Sequence, residues 1–160
     1  GGYQQEVCVR AIAIDLFLVL SAIAALQAYW AFGGLWPAED EKALINTVIG
    51  APHLDHMPGT GPTLVVAALI FLAGLVALAA NGSLPFAPQG LARIGAFGAG
   101  LIFVARGIAG LAGLSIFKIW IAEPFATLNV QFYSPLCVAI GAGFLVLALT
   151  GRNAAYGGSS

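Results

Sequence analysis

Two stretches of this 160-residue chain hold side chains whose type and spacing could do chemistry. The first is Arg106, deep inside the apolar run Leu91 to Leu114. A guanidinium at membrane depth costs ~2.5–3.5 kcal/mol on insertion scales, so it needs a partner, a wet cavity or a short reach to the headgroups. The second is Pro52-His53-Leu54-Asp55-His56-Met57-Pro58. His53, Asp55 and His56 put two imidazoles and a carboxylate within four residues, a set that a transition metal accepts. The competing account of that string is a Pro-bounded turn with hydrogen-bonded histidines. Asp15 is a further charge inside an apolar stretch.

The elements that position these groups follow from composition. Of the residues, 60% are hydrophobic and 8% charged, with a mean hydropathy of +0.95. A soluble domain carries about 25% charged residues, so this surface must face lipid. The net charge is −1, with no Lys/Arg cluster, which argues against a nucleic-acid partner. Hydropathy predicts an all-α, integral membrane four-helix bundle, with spans at about 11–32, 62–80, 91–114 and 133–149. Residues 1–10 and 151–160 form tails, and the membrane domain covers 11–150. Gly1-Gly2 and Gly157 to Ser160 read as cloning remnants. A cleaved signal peptide is the alternative for the first span; Asp15 and the continuation to Phe32 argue against it.

Arg10, Arg93 and Arg152 flank the spans on one side, against Lys42 and Lys118 on the other. By the positive-inside rule both termini are cytoplasmic. Cys8 and Cys137 then lie at opposite faces, too far apart for a disulfide. The third span is lined with small residues: Ala96 and Gly100, then Ala105, Ala109 and Gly113, with Gly107 and Gly110 on another face. Such spacing brings backbones together and serves internal packing, a homodimer or a larger membrane complex.

The first loop on the far side opens a short amphipathic helix near Trp36-Pro37, with Leu44, Ile45, Val48 and Ile49 on one face and Gly50 as its stop. Its acidic polar side favours capping the bundle over lying on lipid. The second loop, Ser115 to Ser134, carries Phe117, Trp120, Phe125, Phe132 and Tyr133 around Lys118 and Glu123, which suits the headgroup level. Arg106 is thirteen residues past Arg93, roughly 20 Å by helical rise, and falls in the outer third. Asp15 falls in the inner third, so the two charges are not expected to pair. Gln27, Tyr29 and Trp30 on the first span, and Tyr133 and Ser134 on the fourth, lie at the depth of Arg106. They are its expected neighbours in an outward-facing polar and aromatic pocket.

Three strings occur in order: Tyr29-Trp30-Ala31-Phe32-Gly33-Gly34-Leu35-Trp36, then Arg106-Gly107-Ile108-Ala109-Gly110, then Phe132-Tyr133-Ser134-Pro135-Leu136-Cys137. Over roughly Tyr29 to Leu149 the chain resembles a family of small four-helix bacterial membrane proteins, domain of unknown function 3995. The resemblance implies an inner-membrane protein with that fold and supplies no activity. Gln27 and Asn129 replace the His and Asp common at those family positions, so neither carries a titratable group.

Three functions compete. The foremost is a non-enzymatic membrane protein that binds an amphiphile or a membrane partner through the Arg106 pocket, with membrane lipids as neighbours and no cofactor. The second is a small permease or ion pathway with Asp15 and Arg106 at opposite ends of a route. The third is an enzyme on a lipid-like substrate using His53, Asp55 and His56. No paired carboxylates, nucleophile elbow or CxxC supports that last reading.

Overall fold

The structure, a computed structural model, describes residues 1–117 and 123–156, side chains at 113–117 and 151–156 excepted. Lys118, Trp120 and Gly157 to Ser160 therefore lie outside the described residues, as do the side chains of Phe117 and Arg152. Among the described residues, six α-helices and a π-helical turn follow in order: α1 (Gly2–Ala31), α2 (Glu41–Val48), α3 (Thr60–Ala80), α4 (Gln89–Phe117), α5 (Phe125–Leu128), the π turn (Asn129–Tyr133) and α6 (Ser134–Tyr156). Gly2–Ala31, Thr60–Ala80, Gln89–Ala112 and Phe125–Thr150 are each long and apolar enough to cross a bilayer. The chain is a multi-pass membrane protein, and among its described residues there is no strand. Its two ends are the termini end and the loop end, the latter carrying α2, α5 and the π turn.

The spans differ from the hydropathy reading at two places. Helix α1 starts at Gly2, nine residues before the apolar run. Its 30 residues measure about 45 Å, well beyond a ~30 Å hydrocarbon core, so its polar first turns stand clear of the lipid interior. The fourth crossing starts at Phe125 rather than Tyr133. Asn129 and Ser134 lower its hydropathy, yet both are buried and satisfied within the bundle.

Helix α1 packs most closely on α3, and α4 on α6; contacts of α3 with α4 and of α1 with α6 close the ring. The core is Leu16 and Leu20 of α1, Ala77 and Ala80 of α3, Ala96 of α4, and Ile140, Phe144 and Leu147 of α6. Phe103 stacks on Phe144 with ring centres 5.9 Å apart. Of the small residues on α4, the buried face is Ala96, Gly100, Gly107 and Gly110, whereas Ala105 and Ala109 are exposed. A Cβ on Gly100 would stand 3.1 Å from the Gly141 carbonyl oxygen, and one on Gly107 would stand 2.8 Å from that of Ser134. Backbone-to-backbone approach is what these glycines permit, and dispersion then holds the pair together in lipid.

Helix α2 caps the loop end. It begins at Glu41, later than Pro37, because the Asp40 carboxylate accepts the Ala43 N–H at 2.7 Å and serves as the N-cap. Leu44 and Ile45 are buried beneath it. Gly50, at φ +70°, ends the element, and the Phe125 ring occupies the space a side chain there would need. The Tyr133 hydroxyl donates to the Thr47 carbonyl at 3.2 Å, tying the cap to the π turn.

Candidate functional site

Pro135 sets the local geometry of the fourth crossing. It has no N–H to give the carbonyl four residues back, and its ring crowds that position. Upstream the helix widens into a π turn, whose closing bond runs from the Ser134 N–H to the Asn129 carbonyl. In an α-helix, residues five apart are rotated about 140° from each other. In the π turn they align, and the Ser134 hydroxyl donates to Asn129 Oδ1 at 3.2 Å.

That alignment builds a socket for Arg106. Its Nη2 donates to the same Asn129 Oδ1, also at 3.2 Å. Asn129 Nδ2 donates in turn to the Gly110 carbonyl at 3.4 Å. Asn129 is 3% and Ser134 0% exposed, two of three buried polar residues among those described. The amide is therefore locked, with its oxygen presented to the cation and its nitrogen to the α4 backbone. Gly110 makes room: a Cβ there would collide with the Ser134 hydroxyl and stand 2.8 Å from Arg106 Nη1. The guanidinium so lies over Gly110, one turn nearer the loop end than its own Cα, in the manner of a snorkelling side chain. Arg106 itself is exposed on the bundle flank. A charged group held at one edge by a buried amide, and open at the other, is suited to gripping an anionic or carbonyl group beside the bundle.

The remaining residues singled out from sequence distribute as follows. Tyr133 and Ser134 flank the socket, Ser134 as part of it and Tyr133 through its bond to α2 and its ring 5.6 Å from that of Phe125. Tyr29 and Trp30 bond within their own turn instead. The Trp30 indole donates to the Trp36 carbonyl at 2.8 Å, and the Trp36 N–H meets the Tyr29 hydroxyl at 3.5 Å. Gly33 at φ +86° and Gly34, whose missing side chain leaves room for the Tyr29 ring, make that turn possible. Gln27 is half-buried on α1. Asp15 is exposed on α1 and forms no ion pair with Arg106.

His53, Asp55 and His56 lie in a loop clamped to the first turn of α2. Lys42 Nζ donates to the Pro52 carbonyl at 3.0 Å, the Leu54 carbonyl at 2.6 Å and Asp55 Oδ1 at 3.3 Å. Glu41 accepts the Met57 N–H at 2.7 Å, with His56 Nδ1 at 3.5 Å from its other oxygen. The Met57 N–H, and then His56, hold the Glu41 carboxyl below the usual carboxylate range. Both histidines are exposed, and among the described residues no three His, Cys, Asp or Glu side chains converge as a metal requires. Asp55 and His56 are engaged in tethering the loop, through Lys42 and Glu41.

Sequence reasoning missed Asn129 and Gly110 as members of the site. The available signal was the pair Asn129 and Ser134 just before Pro135, a spacing of five that becomes meaningful only once the helix is known to run through it.

A family model described as protein of unknown function (DUF3995) matches residues 20–144, from the middle of α1 to the centre of α6. No curated protein and no solved structure matches. The matched segment holds the Tyr29–Trp36 turn, Arg106, the π turn and Ser134, and the chain belongs to the DUF3995 family.

Proposed function

We propose that the protein is a membrane-embedded binding protein, seated in a bacterial inner membrane with both termini cytoplasmic, that holds the anionic or carbonyl head of an amphiphile against Arg106. One observation carries this reading: an arginine within a helix long and apolar enough to cross a bilayer, exposed on the bundle flank, is oriented by a buried amide that also holds Ser134. Bearing a permanent charge at that depth is costly, and a purely structural network of the same shape needs only neutral groups. The guanidinium fork suits a carboxylate, and lipid-facing exposure lets a chain lie along α4. Tyr29, Trp30 and Gln27 belong to the neighbouring rim in this proposal. A membrane partner presenting a carboxylate at the same depth would use the same contact.

The test uses purified protein in uncharged detergent, with oleate and its methyl ester as probes. Oleate should raise the thermal midpoint of the unmodified protein, and the ester should do so less. Arg106→Ala should fold and lose the response, whereas Arg106→Lys should keep part of it. An oleate shift of full size in a folded Arg106→Ala protein sinks the proposal.

A further inference from the structure

At the termini end, four helices leave a polar cleft of about 680 Å³. Helix α1 lines it with Gln5, Glu6 and Arg10, the α3–α4 turn with Asn81 and Ser83, α4 with Gln89 and Arg93, and α6 with Thr150. Among the described residues, two guanidinium groups and one carboxylate line it, and none of the three is in an ion pair. Arg93 Nε is buried and has no hydrogen-bond partner among those residues. A buried donor on a charged group left unmet is costly, so it calls for an acceptor that the described residues do not supply. Helix α4 begins at the cleft wall, and the N–H groups of its first turn add positive potential there. The residues flanking Arg93 along α4 are lipid-facing: Leu91 is 66% and Ile94 70% exposed.

From this geometry we infer that the cleft binds a phosphate group, carried by an anionic phospholipid whose chains lie along Leu91 and Ile94. The phosphate sits between Arg10 and Arg93, and Arg93 Nε donates to one of its oxygens. Asn81, Ser83 and Gln89 offer neutral donors to the rest of the headgroup. The cleft lies where α1, α3, α4 and α6 leave their apolar spans, which is the headgroup level of a bilayer. This site is separate from Arg106, at the other end of the bundle, and stands whether or not that reading holds.

Short-chain phosphatidylglycerol, the matching phosphatidylcholine and inorganic phosphate, each added to the full chain in uncharged detergent, test the inference through the thermal midpoint and native mass spectrometry. Phosphatidylglycerol should bind and stabilise, and phosphatidylcholine should do so weakly. Arg10→Gln and Arg93→Gln should each weaken phosphatidylglycerol binding about tenfold or more, as loss of a charge-assisted bond requires. Arg93→Lys should recover part of the loss. Should Arg93→Gln fail to fold, Arg10→Gln still decides, because Arg10 is exposed. Wild-type phosphatidylglycerol binding by the folded Arg10→Gln protein, or equal binding of phosphatidylcholine, overturns the inference. Displacement of phosphatidylglycerol by an equal concentration of inorganic phosphate overturns the lipid assignment and leaves a free anion as the occupant.

Discussion

The two ends of the bundle treat the same residue type in opposite ways. At the loop end, Arg106 is fastened to a buried amide, the amide to a hydroxyl and a backbone carbonyl, and a glycine clears the space in which they meet. At the termini end, Arg10 and Arg93 border an open cleft, and one Arg93 nitrogen is buried without a partner in the described chain. In the membrane placement proposed above, depth explains the difference. A cation some way into the span has little water to satisfy it, so the protein supplies a fixed dipole. A cation at the headgroup level has water and lipid phosphate within reach, and the fold can leave it to them. Pre-organisation marks the first site and vacancy of partners the second, which is why one is read as a grip and the other as a receptor for a headgroup.

The largest effect should come from filling the space at Gly110. Gly110→Ala forces a methyl into the Ser134 hydroxyl and toward Arg106, and overpacking of this kind costs about 1–3 kcal/mol. Gly98→Ala, on the same helix with nothing within 4 Å of the added methyl, should leave the thermal midpoint essentially where it was. Equal midpoints for the two variants would break the claim that the loop-end socket is tightly built. Next in size is Asn129→Ala, which strips the acceptor from both Arg106 and Ser134. An unsatisfied buried donor costs about 1–3 kcal/mol, and the oleate response should fall with it. Asn129→Asp keeps the acceptor, adds a charge opposite Arg106 and should compete with the probe for the guanidinium.

A third prediction concerns the cap that shelters the socket. The Glu41 carboxyl is held below its ordinary range in the folded protein, chiefly by the Met57 N–H and then by His56. A depressed folded value means that the stabilising contribution is present above the unfolded value and lost as pH falls through the folded one. Hydrogen-exchange protection of the Met57 amide, taken relative to its intrinsic exchange rate at each pH, should therefore fall as the pH drops below the usual carboxylate range. Glu41→Gln should exchange faster at neutral pH and show a flatter pH response; identical profiles would remove Glu41 from the tether. The smallest effect is a labelling one. Cys8 is exposed on the part of α1 that stands beyond the apolar run, whereas Cys137 is half-buried in α6. In intact cells a membrane-impermeant maleimide should leave Cys8 unmodified until the membrane is permeabilised. Immediate modification would reverse the proposed orientation and move the phosphate cleft to the outer leaflet.

Much of this was legible in the residues themselves. Runs such as Pro62 to Ala80 have one reading, since about twenty apolar residues in a row cannot be covered in water. The capping role of α2 followed from Leu44 and Ile45 on one face and acids on the other, and both leucine and isoleucine are buried as that pattern requires. Arg106 was visible as a costly charge. Its distance along the helix from Arg93 was visible too, because helical rise is constant. What was not legible was the rotation of each helix and the course of the chain through residues 125–134. Five-residue spacing between Asn129 and Ser134 carries no meaning in an α-helix, and only the π turn imposed by Pro135 within a continuous helix makes them neighbours.

By itself, then, the sequence determined the medium, the number of crossings and the presence of a cation that had to be answered for, since these depend on composition and length. Only the tertiary structure decided which small-residue face of α4 meets α6, that Asn129 rather than Tyr29 holds Arg106, and that Arg10 and Arg93 share a cleft with no ion pair among the described residues. Those outcomes rest on packing between segments far apart in the chain. Lipid is as apolar as the residues it surrounds, so hydropathy leaves helix rotation open, and close backbone contact at Gly100, Gly107 and Gly110 chooses it.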